Sequence, residues 1–296
     1  MSSVYELCTL CGRNCRINRH NTLGACGMPQ DMYIARAALH MWEEPPISGT
    51  RGSGTVFFSG CSLGCIFCQN REISRRISGK RVSTDRLAEI MLELRAAGAH
   101  NINLVTPTHY APSIKEAIIL AKSKGLSIPI VYNTGSYDSV ETLRHLEGLV
   151  DVYLPDFKYF QPKTARAYSK APDYPDVARA AIAEMVRQTG APSFTDDGIM
   201  RRGTIVRILL LPGHLAEAKL SLKYLYSTYG DSVYISLMSQ YTPTEGMPPP
   251  LNRRVTSAEY GELVEYAERL GVTQCFVQER AAADQKYIPA FDESGV

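Results

Sequence analysis

From residue 55 onward, short apolar runs alternate with segments whose apolar residues recur at helical spacing. The runs at 55–59, 101–105, 129–132, 151–154, 204–211, 232–237 and 274–277 read as strands. Between them, 84–97, 112–124, 138–147, 176–188, 216–229 and 257–270 read as helices. Asp85 and Glu89 suit the N-terminal half of the first helix, and Gly98 and Gly125 end the first two. Alternation of this kind gives a parallel sheet with right-handed crossovers. A doubly wound sheet and a barrel both fit it. In a barrel the chemistry sits where strands end and the βα loops begin. Ahead of this array, 32–50 reads as one or two short strands ending at the Pro45-Pro46 turn, with Glu43 and Glu44 expected as a solvated pair and a role in the active site as the lesser alternative.

With 296 residues, 45% hydrophobic and 21% charged, the chain has ordinary globular composition and ample material for a core. The expected division is a Cys-rich segment at 1–50 and a core domain at 51–296. A net charge of +2 is too weak to argue for nucleic acid, and no nucleic-acid partner is expected. No run is long enough to span a membrane, and 1–6 does not resemble a signal peptide, so a cytoplasmic, reducing location is expected. In that compartment eight cysteines suggest metal more than disulfides.

Three of the eight stand in Gly60-Cys61-Ser62-Leu63-Gly64-Cys65-Ile66-Phe67-Cys68-Gln69-Asn70, right after the first strand of the array. Thiolates suit zinc and iron–sulfur clusters, and a closed site of either kind wants four protein ligands. Three on one loop leave one iron of a 4Fe-4S cluster open. Gly60 and Gly64 let the loop curl so that its amides can face an anionic cluster. Four more, Cys8, Cys11, Cys15 and Cys26, can complete a tetrathiolate site. Structural zinc is the favoured occupant, since it would hold together a short segment with little core, but a second iron–sulfur cluster also fits. Arg13, Arg16, Arg19 and His20 interleave with these thiols and would offset their charge. Cys275, at the start of the last strand, reads as buried packing.

Other strand ends carry polar residues. His109 reads mainly as a structural hydrogen-bonder, with a proton-donor or substrate role as the alternative. Arg207 precedes the apolar run 208–211; an inward arginine there needs an anion or carboxylate, such as SAM or a substrate would bring, and a surface arginine is the comparable alternative. Gln240 and Tyr241 open a Pro-rich rim loop. Arg71, Arg75, Arg76, Lys80 and Arg81 form a basic run that is either solvated or steers an acidic electron donor.

The cysteine loop, with Phe67 just before its last thiol, resembles the signature of the radical S-adenosylmethionine (SAM) superfamily. Residues 54–61, 65–70, Pro107-Thr108-His109, Leu154-Pro155-Asp156-Phe157-Lys158 and the N-terminal cysteines are similar to the PflX group, homologues of pyruvate formate-lyase activating enzyme. The resemblance covers essentially the whole chain. It implies a partial (β/α)6 barrel, open on one side, with a small N-terminal Cys-rich metal-binding segment. It implies a 4Fe-4S cluster on Cys61, Cys65 and Cys68 whose open iron is chelated by SAM. Where the family usually has Gly-Gly-Glu for the SAM amino group, Thr106, Pro107 and Thr108 stand here. Asn133, Thr134, Asp156 and Lys158 match the activase segments that help position SAM, with Asn133 in place of a carboxylate. Arg207 and Gln240 are the further SAM contacts, Gln240 toward the adenosine. The implied reaction is reductive SAM cleavage to a 5′-deoxyadenosyl radical, fed by flavodoxin or ferredoxin. The radical then takes hydrogen from a glycine of a glycyl radical enzyme or, alternatively, from a small molecule or peptide. A non-catalytic iron–sulfur or zinc electron carrier is the reading from another class.

Overall fold

The computed structural model describes residues 3–278 and 289–296. Its strands are β1 Met32–His40, β2 Ser53–Phe58, β3 Lys80–Val82, β4 Ile102–Val105, β5 Ile130–Thr134, β6 Val152–Pro155, β7 Ser193–Phe194, β8 Met200–Leu209, β9 Tyr234–Met238 and β10 Cys275–Val277. Short turns of helix at α1 Ser3–Glu6, α2 Pro45–Ser48 and α3 Arg71–Ser74 precede α4 Thr84–Ala96, α5 Ala111–Ser123, α6 Val140–His145, α7 Pro162–Ser169, α8 Tyr174–Thr189, α9 Leu215–Tyr229 and α10 Ser257–Leu270. Local chemistry sets several of these bounds. Ser83 caps α4 by accepting from the Arg86 amide, and Thr256 and Glu259 cap α10 reciprocally. Gly271, left-handed at φ 78°, ends α10.

The sheet order is β10-β9-β8-β6-β5-β4-β2-β1-β3, with β7 paired to β8. The seven strands expected from 55 onward are all present and mutually parallel. They lie side by side in chain order, whereas a doubly wound sheet would reverse direction at a switch point. β10 does not pair back onto β2, so the barrel is partial and open. On the β2 side β1 and β3 extend it antiparallel. The C-terminal residues also reach this edge, with the Glu293 amide on the Ala35 carbonyl (2.9 Å) and the Ala37 amide on that of Ser294 (2.9 Å).

Helices α4, α5 and α8 cover β2 to β6 with one apolar cluster that includes Leu87, Ile114 and Met185. A second, including Phe157, Leu222 and Leu263, lies under the later helices and reaches the cysteine loop at Leu63 and Phe67. A third fills the bore: Val131, Val152, Leu154, Met200 and Ile205 close around Ile47 of α2. The antiparallel run of β1 explains that position. His40 pairs with Ser53, the first residue of β2, so the chain leaves β1 at the strand-start mouth and enters the bore there. Asn101 Nδ2 donates to the Ile47 carbonyl (2.7 Å) and holds the plug.

Candidate active site

The cysteine loop follows β2 at the strand-end mouth. Gly60 has φ 86°, and a Cβ there would stand 2.1 Å from Met28 Cγ, so only glycine fits. The loop is tied down from several sides. The Gly60 amide donates to the Ile73 carbonyl (2.8 Å), that of Cys61 to Cys26 (3.3 Å) and that of Ile66 to Tyr168 (2.9 Å). Arg13, from the N-terminal segment, donates to the carbonyls of Ser62 (2.7 Å) and Leu63 (3.2 Å). The same guanidinium reaches Ser169 and Lys170 at the end of α7, both at 2.6 Å. From the basic run, Arg75 donates to the carbonyls of Gly64 (2.7 Å) and Cys65 (2.9 Å). Phe67 sits edge-on among Tyr159, Tyr168 and Tyr241, with centroids 6.2, 6.2 and 6.3 Å away.

The three thiols share one electrostatic environment. Burial, then the neighbouring Cys65, pushes the Cys61 thiol up, and burial with Cys61 and Cys65 pushes Cys68 to about 11. Lys158 opposes both shifts. The Leu63 amide points at Cys61 Sγ (3.4 Å) and Ser169 Oγ at Cys65 Sγ (2.9 Å). Among the described residues no three His, Cys, Asp or Glu side chains frame a single metal ion. A cubane makes no such demand, because each thiolate takes a different iron. Three thiols on one loop, donors aimed at two sulfurs and a facing ammonium fit such an anionic cluster.

Below the loop lies a buried polar network. Arg207 on β8 donates to Asp156 Oδ1 (2.6 Å), Asn133 Oδ1 (2.6 Å) and Glu43 Oε2 (3.2 Å), and is 3.9 Å from Glu44. Asp156 also holds Lys158 Nζ at 2.6 Å. Glu43 Oε1 accepts from Asn103 Nδ2 (3.1 Å) and Asn133 Nδ2 (3.3 Å). Arg207, expected to meet an anion of SAM or of a substrate, meets the chain's own Asp156 and Glu43 carboxylates instead. The expectation of a solvated Glu43–Glu44 pair is wrong, since both side chains are buried beside Arg207 as the plug enters the bore. Burial alone would raise the Asp156 carboxyl, but Arg207 and Lys158 outweigh it and hold it below its ordinary value. Burial lowers Lys158, and Asp156 and Cys65 more than reverse this, so its charge is secure. Glu44 is different: burial outweighs Arg207 and pushes its carboxyl up to about 7. Glu44 Oε2, Asn103 Oδ1 and Ser239 Oγ are buried with no hydrogen-bond partner.

Asp138 organises a second node that sequence reasoning missed, placing it only at a helix start. It is buried and accepts from Thr108 Oγ1 (2.7 Å), Thr134 Oγ1 (2.7 Å) and Tyr132 Oη (2.9 Å). The hydroxyls of Thr108 and Thr134 are thus directed at Asp138. Thr106 takes a left-handed φ of 59°, and its amide donates to the Asn133 carbonyl (2.8 Å). Pro107 accepts the Tyr110 amide and opens the helical turn after β4. His109 is buried, bonded through Nε2 to the Ser59 carbonyl (2.7 Å), and burial, then Arg19, lowers it to about 3. It is a neutral structural group under β2. Gln240, after β9, accepts from Gln69 Nε2 at its carbonyl and from Gln278 Nε2 at Oε1, both 3.0 Å.

The N-terminal thiols lie against this mouth. Cys8, Cys11 and Cys26 are buried and Cys15 half-buried, all as free cysteines. Burial, then Cys26, Cys15 and Cys8, pushes the Cys11 thiol up to about 12. The Gly12 amide donates to the Tyr137 carbonyl (2.9 Å), so close to the ring that a Cβ would fall 2.4 Å from it. Of the interleaved basic residues, Arg16 and His20 are exposed, whereas Arg19 is fully buried.

Comparisons with known proteins agree with this geometry. An uncharacterized protein of Methanocaldococcus jannaschii is 28% identical over 278 residues, covering 90% of this chain and 76% of the relative. SuiB of Streptococcus suis bound to S-adenosylmethionine superposes with a TM-score of 0.51 at 11% identity, over 74% of this chain and 48% of that one. A radical SAM methyltransferase from Sphaerobacter thermophilus gives 0.53 at 18% identity, over 76% of this chain and 66% of that one. The likeness to these two longer chains is one of fold. The family model of the radical SAM superfamily matches residues 55–218, from β2 through the cysteine loop and Arg207 to the first turn of α9, and the chain belongs to that superfamily.

Proposed function

We propose that the chain is an enzyme that cleaves SAM reductively and uses the resulting radical to take hydrogen from a glycine of a partner polypeptide, as glycyl-radical-enzyme activases do. Cys61, Cys65 and Cys68 would hold the 4Fe-4S cluster that membership of the superfamily implies. Reduced by a one-electron donor such as flavodoxin or ferredoxin, the cluster held there would supply the electron for cleaving SAM to methionine and a 5′-deoxyadenosyl radical. The chain's own part is to bind and aim. Lys158 offers a fixed cation to the SAM carboxylate, and Asp156, itself gripped by Arg207, keeps that ammonium charged and oriented. Thr106, Pro107 and Gln240 stand at the same strand-end mouth for the rest of the cosubstrate. Phe67 and its tyrosine ring wall exclude water around the loop. The observation that carries this reading is the cysteine loop facing Lys158 across the mouth. The unclosed sheet supports a polypeptide substrate, because a loop can enter from the side.

Anaerobic reconstitution with iron and sulfide, reduction, and quantification of 5′-deoxyadenosine test it. The wild type should form the nucleoside and Cys65→Ser should not; equal yields would remove the catalytic assignment. Incubation with candidate partner enzymes should produce the electron paramagnetic resonance doublet of a glycyl radical. SAM cleavage without that signal on any partner tested would shift the substrate to a small molecule or another peptide.

A further inference from the structure

The C-terminal end of α7 is fastened to the cysteine loop. Lys170, left-handed at φ 50°, stops the helix. The Ile66 amide donates to the Tyr168 carbonyl (2.9 Å), and Arg13 donates to those of Ser169 and Lys170 (both 2.6 Å). Ser169 is thereby held with its hydroxyl 2.9 Å from Cys65 Sγ. Behind it, Tyr159 Oη stands 2.6 Å from Ser169 Oγ. All three side chains are buried. The Tyr159 ring is packed against those of Tyr174 (5.2 Å between centroids), Phe67 (6.2 Å) and Tyr168 (6.4 Å), which keeps water from the two hydroxyls. A serine hydroxyl has one proton to give. A cysteine sulfur bound to iron carries none, so Cys65 Sγ can then only accept. Ser169 gives its proton to that sulfur, and Tyr159 must donate to Ser169. The two bonds run one way, from Tyr159 through Ser169 to Cys65, and in a dry site each polarises the next.

We propose that Ser169, oriented by Tyr159, donates to Cys65 Sγ when the loop holds its 4Fe-4S cluster, and thereby raises the reduction potential of that cluster. The inference rests on the reading of Cys61, Cys65 and Cys68 as the cluster ligands. One electron from the external one-electron donor, which is itself oxidised, adds one negative charge to the cluster. Neither hydroxyl forms or breaks a covalent bond in this step. Part of the added charge lies on the sulfurs, so a hydrogen bond into Cys65 stabilises the reduced form more than the oxidised one. Ser169 touches the sulfur, whereas Tyr159 is a positioning residue that acts through Ser169. Together they ease electron entry at the loop. A hydroxyl that merely fills the end of α7 would leave the potential unmoved.

The test is a potentiometric titration without SAM. Full-length protein is reconstituted anaerobically, poised at set potentials and read by electron paramagnetic resonance of the reduced cluster. The signal followed is the one that Cys61→Ser abolishes, so iron held elsewhere in the chain is not counted. At the poise that half-reduces the wild type, Ser169→Ala should lower the ratio of reduced to oxidised cluster by about threefold to tenfold. Tyr159→Phe, which removes only the hydroxyl, should lower it by about twofold. In the double variant the fall should equal that of Ser169→Ala alone, because Tyr159 acts through Ser169. An unchanged or raised ratio in Ser169→Ala, at wild-type melting temperature, overturns the proposal. A further fall when Tyr159→Phe is added to Ser169→Ala removes the relay. These shifts in a wild type and variants that cleave no SAM would support this inference and remove the catalytic assignment alone. Unmoved potentials in a protein that does cleave SAM would remove this inference alone.

Discussion

Glu44 is the buried group whose charge costs this fold most visibly, and Glu44→Gln isolates that cost. Its carboxyl ordinarily titrates near 4.5, and burial, partly offset by Arg207 at 3.9 Å, moves it to about 7. Between those values the folded chain keeps a proton that the unfolded chain releases. Stability therefore falls as pH rises from about 4.5 to about 7 and is flat above. At about 1.4 kcal/mol per unit, ionised Glu44 withholds about 3 kcal/mol from the fold at about pH 8. Glutamine has nearly the same shape without the charge. With an unfolding entropy of about 2 cal/mol/K per residue, the variant should melt about 5 °C higher at about pH 8. That gain should shrink toward zero at about pH 5. Anaerobic thermal melting of both proteins at the two pH values is the assay. An equal shift at both, or a variant less stable at the higher pH, would refute the reasoning.

His109 should produce the opposite limb. Its pKa falls from 6.5 to about 3, so the unfolded chain takes a proton that the fold refuses, and stability is lost as pH drops below about 6.5. The full effect is on the order of 5 kcal/mol, and proton NMR of its imidazole should show no titration between about pH 5 and 9. Gly60→Ala forces a residue with a Cβ into φ 86° and against Met28; about 1–3 kcal/mol of backbone strain plus the clash should lower both the melting temperature and the iron retained after reconstitution. Arg13→Ala removes four charge-assisted bonds to carbonyls and should cost about 2 kcal/mol or more, read as faster limited proteolysis near the N-terminus and weaker cluster retention.

The seven parallel strands were legible because each is a short apolar run between helices with their own stop signals. Barrel rather than doubly wound order was legible only through the resemblance carried by the cysteine loop, since in the periodicity itself strand sequence in space leaves no local mark. Strand pairing of 32–40 against β2 was equally invisible, and with it the route of the plug. That is why Glu43 and Glu44, two adjacent carboxylates before a Pro-Pro turn, read as solvated. Their burial is set by Arg207, which is far away in sequence. Arg207 was legible only in part: an arginine entering an apolar run demands an anion, but that the chain's own Asp156 and Glu43 supply it took the fold to see. Asp138 was missed because an acidic residue before a helix has an ordinary explanation, and only the fold brings Thr108, Thr134 and Tyr132 around it. The seven clustered thiols needed no fold to be noticed, but Arg19 among them did: four basic residues looked alike until one was found inside.

Ile47 and its neighbours stopper the bore at the strand-start mouth. The chamber is thereby dead-ended on that side, like a flask and unlike a pipe. Whatever enters past the cysteine loop and whatever is made there share that doorway and its flank. On the proposed reaction, spent nucleoside and methionine would have to vacate before a fresh cosubstrate settles, so both leaving molecules would contend with the incoming one for the same berth.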